Sequence, residues 1–276
     1  AERIQDEVAR FSPAELVCNA EFLSNPMAQA LTERFTIKPE EIDSRMFSYH
    51  TAEDTLQSHF QVASLDGFGL EKKQIAVSAA GGLLWYLLET QKNNLEHISA
   101  LRFYTTADFM PLDAASRRNL ELTETMREKT KKGSLLSVLD ETKTAMGARM
   151  LRKWVEQPLL VADEICLRLD SVAELKEDLF LREEIKEVLD TVYDFERIMA
   201  RVVYQNANAR ELSMLQHSIE NLPMLKRILA RCRSPFLQTL YESLDTLENI
   251  HTLLAQAIVD DPPFSVREGG MIRAGY

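Results

Sequence analysis

A chain of 276 residues, 45% hydrophobic and 27% charged, carries apolar side chains enough for one large or two ordinary cores. Collagenous, low-complexity and wholly disordered classes are thereby excluded. With 43 acidic against 32 basic residues the net charge is −11, which excludes a protein that coats nucleic acid by bulk charge.

The first twenty residues include Glu2, Arg3, Asp6, Glu7, Arg10 and Glu15 and no apolar stretch of the secretory type. The chain opens in a helix with no strand before it, so its α/β part reads as truncated. A turn at Ser12-Pro13 precedes a strand at Leu16-Val17-Cys18. Further strands are predicted at Met46-Phe47-Ser48-Tyr49 and Leu101-Arg102-Phe103-Tyr104. Thr51, with Asp54 three residues on, predicts the N-cap of a helix running through Leu56 and Phe60. The apolar run at 76–88 is too short to span a bilayer and reads as a buried helix. Gly81-Gly82 inside it predicts a close approach to a sheet. The expected first domain, 1–108, is therefore α/β with a mixed or parallel sheet.

Glycine is absent from 148–268, and only five prolines interrupt that stretch. Helix is expected there. Apolar residues step by three and four through Ile165, Leu169, Val172, Leu175 and Leu179. The stepping continues from Ile185 to Val202, from Leu212 to Leu225 and from Leu237 to Ile258. Four amphipathic helices are predicted, the last at 236–259 being a rod roughly 35 Å long. The expected architecture is mainly α: a long-helix bundle at 109–276, preceded by the partial α/β domain.

Enzymatic signatures are scarce. No Gly-Lys dipeptide occurs, hence no phosphate-cradling P-loop. Gly67-Phe68-Gly69 is half of a dinucleotide fingerprint, with Lys72 where the third glycine belongs. His50, His59, His97, His217 and His251 lack metal-ligand spacing. Cys18, Cys166 and Cys232 form no Cys-x-x-Cys pair, and an odd number of scattered thiols fits a reducing, cytoplasmic setting. A two-metal nuclease would need acids such as Asp43, Asp66 and Asp108 gathered at strand ends, and none falls in a predicted strand. Residues 117–153 carry ten basic and five acidic residues, a local +5. That stretch could touch a phosphate backbone, but its cations interleave with Leu135, Leu139, Met146, Met150 and Leu151, as on the solvated side of a buried stripe.

The segment from Met110 to Pro158 is distinctive. It holds Met110-Pro111-Leu112-Asp113 running on to Arg117-Arg118-Asn119-Leu120-Glu121-Leu122. Gly133-Ser134-Leu135-Leu136-Ser137-Val138-Leu139-Asp140 follows, then Met146-Gly147-Ala148-Arg149-Met150-Leu151-Arg152-Lys153-Trp154 and, four residues on, Pro158. These blocks resemble the entry to the core, or lever, domain of the MutS family of DNA mismatch-repair proteins. Arg168-Leu169-Asp170-Ser171 and Asp194-Phe195-Glu196-Arg197 resemble its next helices. Asp261-Pro262-Pro263 through Gly269-Gly270 to Tyr276 resembles a strand pair leading toward the clamp. Upstream, Phe11-Ser12-Pro13-Ala14-Glu15-Leu16 and Leu65-Asp66-Gly67-Phe68-Gly69 resemble the latter part of the connector domain.

The resemblance implies a mechanical role, coupling nucleotide state to grip on mismatched double-stranded DNA. The family's Phe-x-Glu mismatch wedge is missing, so the chain reads as an internal fragment, itself no enzyme. ATP and Mg²⁺, the clamp and most dimer contacts would belong to other parts of a larger, homodimeric ATPase. A MutL-type partner would dock on the connector, and no membrane is involved. Asp113 or Ser116 is expected to cap a helix before Arg117, Arg118 and Asn119. Gly147, Arg149, Arg152 and Trp154 are expected to serve packing and ion pairing, Gly147 through close backbone approach and Trp154 as a buried ring. Pro158 is expected to end their helix. The rival reading is a self-contained helical scaffold that binds protein without DNA.

Overall fold

The computed structural model describes residues 2–11, 13–35, 37–91, 95, 98, 100–105, 109–203, 205–263 and 268–276. Ser12, His97 and Asp108 lie outside the described residues. The fold is mainly α. It divides into two compact units, Ala1–Asn119 and Leu120–Tyr276.

The first unit runs α1 (Glu2–Phe11), β1 (Leu16–Cys18), α2 (Ala20–Leu23), α3 (Pro26–Phe35), β2 (Pro39–Glu41), α4 (Tyr49–Phe60), α5 (Gln74–Gln91) and α6 (Ala114–Asn119). β1 and β2 pair in parallel, Leu16 opposite Pro39 and Cys18 opposite Glu41. The sheet is smaller than expected. Met46–Tyr49 is no strand: Ser44–Phe47 forms a 3-10 turn, and Ser48 caps α4 by accepting the Thr51 N–H, so the cap lies three residues before Thr51. Residues 101–104 also lack strand pairing. At 44–48 local hydrogen bonding outweighed aromatic β-propensity, and at 101–104 Leu101 packs on the core while Tyr104 bonds Glu7 and Arg10 through its hydroxyl.

α4 and α5 form the heart of this unit, with Ala52, Leu56, Val77 and Leu84 buried between and around them. Gly81 and Gly82 do bring backbones together, but against a helix and a turn, not a sheet. A Cβ on Gly81 would lie 2.4 Å from the Ala52 Cα, and one on Gly82 would lie 2.4 Å from the Phe47 ring. α5 is also the apolar run of the sequence. No helix among the described residues is long and apolar enough to cross a membrane.

The second unit contains α7 (Leu135–Leu139), α8 (Ala145–Glu156), α9 (Ala162–Glu177), α10 (Leu179–Asp190), α11 (Phe195–Val203), α12 (Ala209–Glu220), α13 (Leu222–Leu229), α14 (Pro235–Ser243) and α15 (Glu248–Ala257). Three of the four predicted long helices are each two. The expected rod at 236–259 breaks at Leu244 to Leu247, where Leu247 takes φ 53°. The second stripe breaks between Asp190 and Phe195, and the third at Asn221, beside Pro223 in the first turn of α13.

These breaks have one cause. Among its described residues, unit two has two buried clusters. Leu181, Ile228, Leu229 and Leu237 form one, with Ile185, Val188 and Leu244 packed on it. Ile198, Leu215, Ile219, Leu222 and Leu254 form the other, with Phe195 and Leu247 packed on it. Each of these three predicted helices serves both, and it breaks at, or within a turn of, the point where it passes from one to the other. Periodicity detects the continuous stripe but not the change of partner. Near the C-terminus the expected strand pair is reduced to one antiparallel bridge, Ile258 with Ile272, flanked by Val259 N–H to Met271 O and Arg273 N–H to Ala257 O.

Candidate functional site

The motif residues of 110–158 divide between the two units. In the first unit, Asp113 caps α6 by accepting the Ser116 N–H at 2.6 Å, and that bond holds its carboxyl below the usual range. Arg117 turns its Nε back to the Leu112 carbonyl at 3.1 Å, while Arg118 and Asn119 are exposed.

In the second unit, residues 120–134 fold back on α7. Leu135 and Leu136 donate their N–H groups to the Glu121 and Leu122 carbonyls. Ser134, 1% exposed, caps α7 and donates its hydroxyl to the Lys131 carbonyl at 2.7 Å. Lys131 then reaches along α7 to pair with Asp140 and depresses the pKa of that carboxyl.

Thr144 caps α8, accepting the Gly147 N–H at 3.0 Å. Gly147 makes no close approach to a distant backbone: the nearest atoms to a Cβ there belong to the Thr144 and Thr142 side chains. Arg152 pairs with Glu156 one turn on, at 3.0 Å. Arg149 points elsewhere, to the break between α10 and α11. Its guanidinium donates to both Asp194 oxygens at 2.9 and 2.7 Å and twice to Glu196 Oε2 at 2.9 and 2.6 Å. Hydrogen bonding from Arg149 holds Asp194 below its ordinary value, and the two carboxylates raise Arg149.

Trp154 is half-buried, contrary to expectation, because α8 lies over the bundle rather than within it. The Arg168 guanidinium on α9 covers its ring at 3.8 Å. α8 ends at Glu156, and Pro158 follows its cap, Gln157. Arg149, Arg152 and Trp154 thus share a helix but not a cluster.

Sequence reasoning missed the partners. Asp194 and Glu196 were legible only as part of a segment resembling the family's next helices, without a link to Arg149. A second junction went unseen: the Glu174 carboxylate accepts the N–H groups of Arg233 and Ser234 at 2.6 and 2.8 Å, joining α9 to the start of α14 beside a Ser171–Ser234 hydroxyl pair at 3.1 Å. Burial pushes Glu174 up, yet those donors outweigh it and hold the group low. This carboxylate also lines an open cleft of about 750 Å³ with Asp170, Phe180 and Arg231.

Chemically, these groups clasp helices to one another. Among the described residues no three His, Cys, Asp or Glu side chains could hold a metal ion. Asp43, considered above as a nuclease acid, pairs with its neighbour Arg45 at 2.6 Å. His59 and His217 bond the Ile98 and Ser213 carbonyls.

The opening unit with its parallel strand pair and the helical second unit, in which Arg149 ties α8 to the start of α11, make a mainly α chain of two units. Family models agree with that division: MutS domain II matches residues 1–99, and MutS domain III matches 115–274. The chain belongs to the MutS family. It is 44% identical over 275 residues to the DNA mismatch repair protein MutS of Lachnoclostridium phytofermentans, covering 99% of this chain and 30% of that protein. Against the protein of the same name from Ruminiclostridium cellulolyticum the identity is also 44%, over 99% of this chain and 31% of the relative. For that of Halothermothrix orenii it is 42%, over 100% and 31%. The chain therefore spans about 30% of the length of the relatives it matches.

Proposed function

We propose that this chain is the connector and the first part of the lever of a DNA mismatch repair protein. In this reading it carries force between a nucleotide-hydrolysing part and a DNA-gripping part, both lying outside these 276 residues. The order of the two family matches, domain II and then domain III along one chain, is the observation that carries it. Helices packed on dry apolar clusters suit transmission, because packed interfaces shift as units and do not deform continuously. Mismatched DNA, ATP and Mg²⁺ would be engaged by the rest of a homodimeric protein in the cytoplasm. A MutL-type partner would dock on residues 1–108, and the lever would begin at 109. Any direct DNA or partner contact by the motif residues would fall first to exposed Arg118 and Asn119.

The test is a chimera in which this chain replaces the matching 275 residues of the L. phytofermentans protein. Introduced into a repair-deficient host that the parent protein rescues, it should lower the mutation rate to near the parent's level. A folded chimera that binds mismatched duplex and hydrolyses ATP, yet leaves the rate at that of the deficient host, would refute the role in transmission.

A further inference from the structure

We infer that the second unit is hinged at the level between its two buried clusters, and that Arg149 is the clasp that holds the hinge shut. Three helix breaks, at 191–194, at 221 and at 244–247, fall at or within a turn of the passage between the same two clusters, Leu222 at the start of α13 still belonging to the cluster of α12. α9, α10, α13 and α14 pack on one side, while α11, α12 and α15 pack on the other. The apolar contacts that make each side rigid stop at this level, so bending costs least here.

Polar contacts take over where the apolar ones stop. Tyr193 N–H, in the first break, donates to Ser218 Oγ at 2.9 Å, and Ser218 is 1% exposed on α12, a turn before the second break. Lys226 Nζ reaches from α13 to the Leu244 carbonyl at 2.6 Å, at the third. Over the first break lies Arg149, bound to Asp194 within the joint and to Glu196 on the first turn of α11.

Arg149 is carried by a helix suited to letting go. α8 contributes no side chain to either cluster and buries none of its own residues. Beside the partly buried Met146, Leu151 and Val155, its polar ties to the bundle include the half-exposed Arg149 pair, 49% accessible on the arginine, and the Trp154–Arg168 stack. An accessible ion pair is screened by salt, and a buried apolar contact is not. The clasp can therefore open while both clusters stay packed. The proposal does not depend on the repair function: it concerns the isolated chain and is read without DNA or nucleotide.

The experiment is amide hydrogen exchange by mass spectrometry on the 276-residue chain at low and at 0.5 M salt, on the order of full screening. Arg149→Gln, at low salt, should speed exchange about fivefold at all three breaks together, as expected for loss of a clustered surface pair. Amides of α12 around Ile219 and of α13 around Ile228 should keep their wild-type protection. High salt should reproduce the effect in the wild type, and the charge swap Arg149→Asp with Asp194→Arg should restore protection. Acceleration confined to 191–196 would overturn the hinge, because the joints would not move together. Uniform acceleration through both clusters, or no change at any joint, would overturn the clasp.

Discussion

Replacing Gly81 by alanine tests the packing of α4 against α5. The new methyl would meet the Ala52 Cα and Cβ at 2.4 Å and its carbonyl oxygen at 2.6 Å. Ordinary carbon contacts lie at about 3.5 to 4.0 Å, so α5 has to retreat by at least about 1 Å from a residue that is itself fully buried. A gap of that size forfeits about a quarter of the contact energy of the side chains between the helices. For Leu56, Val77 and Leu84, at about 2 kcal/mol each, and Ala52, at about 1 kcal/mol, the loss is about 2 kcal/mol. Residual strain adds about 2 kcal/mol, and the better helix propensity of alanine returns about 1 kcal/mol. The expected net loss is about 3 kcal/mol, or a fall in Tm of about 10 °C for a unit of this size. Urea denaturation followed by Trp85 fluorescence, with Trp154 replaced by phenylalanine in both proteins, measures it. Gly67→Ala, where nothing lies within 4 Å, is the control and should stay within about 0.5 kcal/mol. If Gly81→Ala stabilised the chain by about 1 kcal/mol, as propensity alone dictates, the close approach would be refuted.

Ile219→Ala, at a position 1% exposed in the α12 cluster, should cost about 4 kcal/mol in the same denaturation assay; a loss under about 1 kcal/mol would show that the cluster collapses around it. Trp154→Ala should cost about 1.5 kcal/mol, well below a fully buried ring, since it is half-buried and stacks with Arg168; a loss above about 3 kcal/mol would place the ring inside a core. Acid titration should isolate the Asp194 pair. Its folded pKa is held below the ordinary 3.8, so its stabilisation is complete above that value and disappears as pH falls through the lower folded one. The stability gap between wild type and Asp194→Asn should then be constant above about pH 5 and shrink below about pH 4; a gap that persists at pH 2 would contradict this.

Much of the fold was legible in the sequence because burial imposes a period. Leu16-Val17-Cys18 reads as a strand and is one, and the stripes through Ile198, Leu215 and Leu254 do supply a core. β2 was invisible, since Pro39-Glu40-Glu41 has neither apolar alternation nor β-branching and pairs only because the backbone of Leu16–Cys18 lies alongside. The stripe on α9 misled in another way. Ile165, Leu169 and Val172 are exposed, while Ser171 faces inward, hydrogen-bonded to Ser234. A period finds an apolar face but cannot tell which side the neighbours occupy. The clasp residues were named as family motifs, yet Asp194 and Glu196 are 45 and 47 residues from Arg149, a pairing that no local rule detects.

The short parallel ribbon has a chemical consequence of its own. Pro39 offers no N–H, and Glu40 and Glu41 stand exposed, so β2 presents a poor template for an incoming foreign strand and guards the ribbon against fibril growth. The same two carboxylates act on Cys18 across the ladder: burial first, then the charges of Glu41 and Glu40, keep it a neutral thiol. At neutral pH that sulfur should therefore be slow toward alkylating reagents and peroxide, leaving exposed Cys166 as the position to label.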